Sequence, residues 1–311
     1  PDRLEVMADV IDVVGSGVMG LTMKCARCHS HKFDPIPQRD YYRLVAVFKG
    51  AYDEHDWLKP ELNSFGGALS AGFGERYLSQ VTTAERAKWQ QISDDVKSLK
   101  AGPPSPDVDK QITDLEAQQA AEPRIMALWD RGDPSPTYIY RRGDHNVAGS
   151  LVSPGPPAVL CDETNPFEIN PPFPDVKSTG RRLAFTRWLT RPDHPLTARV
   201  MVNRVWQHHF GTGIVRSVGN FGKTGAPPTH PDLLDWLARD FVAHRWSLKT
   251  LHRLIMTSNT YRQQSLVTPE CEQIDPDNTL LSRMPMRRME AELLRDTLLL
   301  VAGQLNEAQF G

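Results

Sequence analysis

The sequence predicts a mainly α-helical protein: a short N-terminal segment carrying a Cys/His-rich motif, a projecting helical hairpin, and a larger α-helical C-terminal domain with few short strands. Three observations lead there. Apolar residues recur at helical spacing through most long segments. Strand-like patterning is confined to "TYIYRR" and short pieces around 147–160. The 25 prolines gather in a few clusters that separate these segments.

Residues 3–14, "RLEVMADVIDVV", set Leu4, Met7, Ile11 and Val14 on one helical face. Gly15, Gly17 and Gly20 interrupt, and "MKCARCHSHKFDPIP" follows. "QRDYYRLVAVFKG" (38–50) reads as a second helix, with Tyr41, Leu44, Val45 and Phe48 inward and Gly50 as its stop. Residues 82–128 are polar, helix-prone and sparsely apolar around a proline tip at 100–108, the pattern of a helical hairpin acting as a spacer. A proline-rich linking region covers 131–178.

Beyond it, "STGRRLAFTRWLTRPDHP" ends a helix near Arg191, because Pro192 cannot continue it. "HPLTARVMVNRVWQHHFG" places Pro195 in a first turn and Gly211 at the end, with Val202, Val205 and Trp206 at the centre of its apolar face. Leu233, Leu234, Leu237 and Phe241 mark the next helix, and Leu248, Leu251, Leu254 and Ile255 the one after. Met289, Leu293, Leu294, Leu298 and Val301 form the apolar face of a last helix, closed by Gly303. The expected divisions are 1–80, 81–130 and 131–311.

The chain has 311 residues, 40% apolar and 24% charged, ordinary values for a globular protein. A formal net charge of -2 provides no global field for nucleic acid or an anionic membrane. No apolar run approaches the ~20 residues that a membrane span needs. The chain opens on Pro1 and reads as beginning within a domain, so the compartment has to be inferred from chemistry.

The chemistry concentrates at Cys25, Cys28, His29 and His31. Cys25-Ala-Arg-Cys28-His29 fits C-x-x-C-H, the pattern for covalent c-type haem attachment. Two thiols three residues apart reach the two vinyl groups on one porphyrin edge, and the next residue brings an imidazole beneath the iron. His29 would ligate through Nε2 and donate Nδ1–H to an acceptor that fixes its orientation; a carbonyl of Pro35 or Pro37 is the expected partner. Zinc is the alternative cofactor, with Cys25 and Cys28 joined by His29 or His31. It lacks a second close-spaced ligand pair, since Cys161 and Cys271 are single and His208 and His209 adjacent. A redox dithiol comes third, because no βαβ unit surrounds the pair.

"GLTMKCARCHSHKFDPIPQRDYYRLVAVFKG" resembles the end of the planctomycete cytochrome-c-like domain. "RPDHPLTARVMVNRVWQHHFGTGIVRSVGNFGKTGAPPTHPDLLDWLA", with "SLKTLHRLIMTSNTYRQ" and "DPDNTLLSRMPMRRMEAELLRDTLL", resembles the planctomycete-specific domain of unknown function that follows it. The resemblance implies covalent haem at Cys25, Cys28 and His29, export to a periplasm, and an unidentified redox partner. It implies no activity for the second domain.

For a distal iron ligand the candidates are His209, on an apolar helix face, and Met201; each reads better as a core residue. His31 is too close to His29 to cross the porphyrin plane. The Gly-rich loop 208–225 matches no phosphate-binding fingerprint and reads as a structural turn. The tripeptide Arg142–Asp144 is treated as coincidence. Cys161 and Cys271 are read equally as a disulfide or as free thiols. Glu290/Glu292 and Asp232/Asp235 read as solvated helix faces. The function expected is haem-based electron transfer or haem-assisted oxidation. The alternative is a non-catalytic secreted binding module whose motif is a zinc site or a disulfide turn.

Overall fold

Helix α1 spans Asp2–Val14 and buries Met7 and Ile11, the centre of its apolar stripe. It runs into a π-helical turn at Gly15–Met19 that ends on Gly20 with φ of 63°. A residue with a β-carbon is disfavoured in that conformation. A 3₁₀ turn, Lys24–Arg27, precedes α2, Gln38–Phe48, whose Tyr41, Leu44 and Val45 face inward. The structure, a computed structural model, describes residues 2–53, 77–79, 82–103, 105–118, 124–126, 130, 133–161, 166–170 and 178–308.

By internal contacts the chain forms two compact units. One comprises Pro1–Phe48, Pro136–Pro172 and Gly180–Gly311; the other comprises Lys49–Ser135 and Phe173–Thr179.

The second unit contains a short antiparallel ribbon and a helical pair. Strand β1, Tyr77–Ser79, pairs with β2, Arg124–Met126. Helix α3, Thr83–Lys100, starts at a reciprocal cap in which Thr82 Oγ1 accepts from the Glu85 amide while the Thr82 amide donates to Glu85. It packs against α4, Pro106–Gln118, burying Ile92 and Val96, and Lys100 reaches Glu116 at 2.9 Å.

The first unit is mainly helical, with one ribbon. Strands β3, Thr137–Tyr140, and β4, Ala148–Val152, pair antiparallel with an irregularity between Tyr138 and Tyr140. Then come α5 (Arg181–Leu189), α6 (Thr197–Phe210), α7 (Pro231–Ala243) and α8 (Leu248–Thr257). Short helices α9 (Asn259–Arg262) and α10 (Pro269–Ile274) precede α11 (Ala291–Val301). Val202, Val205, Trp206, Phe210, Leu234, Leu237, Phe241, Leu251 and Ile255 close a core between α6, α7 and α8. The mainly α fold read from the sequence is the one observed.

Three details differ from the sequence expectation. Helix α6 begins at Thr197, so Pro195 lies before it rather than in its first turn. The side chain of His194 supplies the cap instead: Nδ1 accepts from the amides of Leu196 and Thr197 and from the Thr197 hydroxyl. Helix α11 does exist and Gly303 follows it at φ of 66°, but Leu293, Leu294, Leu298 and Val301 are all exposed. Leu248 is exposed as well, leaving Leu251 and Ile255 as the buried face of α8.

The N-terminal segment is built into the C-terminal helices. A β-carbon on Gly20 would stand 2.8 Å from Phe221 and 2.9 Å from Val200, and the Phe221 amide donates to Gly20 O at 2.7 Å. Arg204 of α6 donates to Ser16 O. Asp34, 6% exposed, accepts from the Lys223 amide at 2.7 Å and abuts Gly222. The Gly-rich loop therefore has a structural role: its Gly222 lets Asp34 approach, while Gly20 of the N-terminal segment makes room for the loop's Phe221.

Candidate functional site

The motif sits on a turn anchored from below. Leu21, Met23, Ala26 and Ile36 are buried, and the Ala26 amide closes the turn on Met23 O. Cys25 and Cys28 lie at i and i+3 of this tight turn, a spacing that brings side chains nearly into register in 3₁₀ geometry. Both are exposed with free thiols.

Arg27, between them, forms a two-pronged pair with Glu5 of α1 at 3.0 and 2.7 Å. That pairing, a hydrogen bond first and charge second, holds the Glu5 carboxyl below its usual range. The carbonyl of Arg27 accepts from Gln38 Nε2 and the Tyr42 hydroxyl, each at 2.9 Å. Both donors also reach Tyr140 O on β3. Burial pushes the Tyr42 hydroxyl well above its ordinary pKa, so it stays a neutral donor.

On the ribbon's turn, Arg142 and Gly143 adopt φ of 53° and 76°. A β-carbon on Gly143 would come within 2.7 Å of Cys28 Sγ, so the bare backbone of this turn walls the sulfur on one side. The Arg142–Asp144 tripeptide thus has a structural use beside the motif.

The two histidines diverge. His29 is exposed, and its Nδ1 lies 2.8 Å from Ser30 O. A carbonyl can only accept, so Nδ1 carries the proton and Nε2 keeps its lone pair. Ser30, rather than Pro35 or Pro37, is the partner that orients the ring. His31 turns inward: Nδ1 accepts from the Asp34 amide at 2.9 Å, and Nε2 meets Thr22 Oγ1 at 3.1 Å. With both nitrogens used inside the fold, His31 is a positioning residue that folds the "HKFDP" loop back.

The other candidates lie elsewhere. His209 Nε2 is 2.7 Å from His252 Nδ1 on α8, and its ring packs edge-on to Tyr261. Val200 meets the motif segment at Gly20, and His209 lies nine residues further (209 − 200) along α6, ~13 Å at the helical rise. Met201 packs against the C-terminal core. Cys161 and Cys271 are half-buried, and the Cys161 thiol donates to Pro157 O. Asp235 pairs with Arg199 at 2.6 Å, while Asp232, Glu290 and Glu292 are exposed. Among the described residues, no group of three or more His, Cys, Asp or Glu could hold a metal ion.

Gln38, Tyr42, Ser30 and Gly143 were not singled out from the sequence. Gln38 and Tyr42 sit one turn apart on α2, and that spacing was the available signal.

These residues fit a thioether-bound porphyrin: free thiols on one turn, and an adjacent imidazole with Nδ1 committed and the Nε2 lone pair kept. Comparison with known families gives the class. Residues 2–53 match the model described as PSCyt2, a protein of unknown function (DUF1549), and residues 181–311 the model described as PSD1, a protein of unknown function (DUF1553). Both are planctomycete cytochrome-c-associated domains. No curated protein and no solved structure matches the chain.

Proposed function

We propose that this protein binds haem covalently through Cys25 and Cys28, with His29 Nε2 as the proximal iron ligand, and uses it to pass electrons to or from an unidentified partner. The observation that carries the reading is the pair of free, exposed thiols on one turn beside an imidazole whose Nδ1–H is already donated to Ser30 O. The C-terminal domain's resemblance to cytochrome-associated proteins adds weight.

Each residue has a role. Cys25 and Cys28 would hold the porphyrin by two thioethers, each made by adding S–H across one vinyl group with no net oxidation. The Ser30 carbonyl makes His29 Nε2 a stronger donor and fixes the ring plane. Gln38 and Tyr42 hold the turn through Arg27 O, so that the thiols keep their common side. Haem iron supplies a one-electron couple, tuned by ligand identity and burial. Attachment of this kind takes place outside the cytoplasm, which makes the protein an exported one.

The test is expression of the chain in a periplasm equipped for c-type maturation. The wild type should carry a Soret band that survives acid–acetone extraction. Cys25→Ser with Cys28→Ser should abolish it. Extractable pigment in the wild type, or none, overturns the proposal.

A further inference from the structure

A second site lies in the C-terminal helices, lined by none of the haem-motif residues. A cavity of about 100 Å³ opens between the end of α6, the loop after it and the loop 275–285. Its walls are fixed from behind by buried polar side chains. Asn203, fully buried, exchanges two hydrogen bonds with the Val215 backbone, at 2.9 and 2.8 Å. Asp275, 4% exposed, accepts from the amides of Thr279 and Leu280 and from the Thr279 hydroxyl, all within 2.8 Å. Arg283 ties the carbonyls of Asp275 and Pro276, and Gln263 holds Leu281 O.

Two lining residues, Asn278 and Leu281, are held at φ of 53° and 57°. Asparagine tolerates this conformation; leucine is strained in it. Strain kept in place by so many bonds belongs to a loop whose shape matters, and such strain concentrates at ligand clamps.

The charges on the rim have no use inside the fold. Arg216 and Asp277 both line the cavity, and neither side chain has a hydrogen-bond or ion-pair partner among the described residues. They do not pair with each other. Thr212 and Thr229 add hydroxyls, while Phe210 and Leu281 contribute an apolar floor. A planar guanidinium takes a carboxylate by two parallel bonds, and a carboxylate lining the same cavity takes a donor. A cavity of this volume suits a small molecule.

We infer that this cavity binds a small carboxylate bearing a neighbouring hydrogen-bond donor, an α-amino or α-hydroxy acid, with its carboxylate on Arg216 and its ammonium or hydroxyl on Asp277. The test titrates the full chain with L-alanine, L-serine, L-lactate and propionate, following the Trp206 indole resonance assigned through Trp206→Phe. At least one donor-bearing acid should shift that resonance saturably below ~10 mM, where weak specific sites of roughly millimolar affinity are read. Propionate should bind at least tenfold more weakly. Arg216→Ala, an exposed substitution that leaves the core intact, should remove the shift. Asp277→Asn should cut binding of amino acids more than of lactate. No saturable response from any donor-bearing acid overturns the inference. So does equal binding of propionate, or undiminished binding in Arg216→Ala.

Discussion

Acidification should destabilise this protein through a single buried histidine. His194 is 5% exposed, with Nδ1 accepting from two amides and a hydroxyl at the start of α6. Its proton therefore resides on Nε2, and the ring stands edge-on to Trp188 at 4.5 Å between centroids. Charging the ring would place a second proton on Nδ1, against two N–H donors, in a buried site beside Arg191. Burial first and Arg191 second lower its pKa from 6.5 to about 4, against a small opposing pull from Asp193.

The unfolded chain binds this proton below pH ~6.5, whereas the folded chain resists it down to about 4. Stability is therefore complete above 6.5 and falls with pH through the window from 6.5 to about 4. From 2.5 units (6.5 − 4) at 1.36 kcal/mol each, the limiting loss is about 3 kcal/mol, of which about 2 kcal/mol is spent by pH 5. Urea unfolding at pH 7.5 and pH 5 measures it. His194→Asn keeps a capping oxygen without a titrating ring, so it should show a pH 7.5-to-5 difference smaller by about 2 kcal/mol than the wild type's. Equal pH dependence in the two proteins would refute the reasoning.

Further outcomes follow from other contacts. Gly20→Ala forces a β-carbon into left-handed backbone and against Phe221 and Val200, and should lower unfolding free energy by roughly 2–4 kcal/mol in urea titration. His209 should titrate below 6.5 by NMR, chiefly from burial and then from His252, and His252→Ala should raise its pKa. In the haem-free chain Cys25 and Cys28 should react with a thiol reagent ahead of half-buried Cys161 and Cys271. The matured protein should lose the two fast-reacting thiols.

Legibility from sequence followed sequence separation. Helical faces repeat locally, so α1, α2, α6 and α7 could be drawn from periodicity, and the "TYIYRR" and 147–160 strands from their residue types. The motif's two cysteines were legible because their spacing is itself the geometry. Interactions between distant residues were not. Asp34 on Lys223 N, Gly143 under Cys28, His209 on His252 and Asn203 on Val215 join residues whose pairing no local pattern encodes. Helix α11 shows the opposite failure: an apolar face reads as core in sequence, yet amphipathicity does not say what covers the face. The start of α6 was missed because histidine is an uncommon cap and Pro195 a familiar first-turn residue.

The most direct measurement is the intact mass of the protein after export in a strain that attaches c-type haem, with peptide mapping of the modified segment. The account predicts the polypeptide plus one haem, carried on the peptide that contains Cys25 and Cys28. A colourless product at the mass of the bare chain, with all four thiols still titratable, would contradict it.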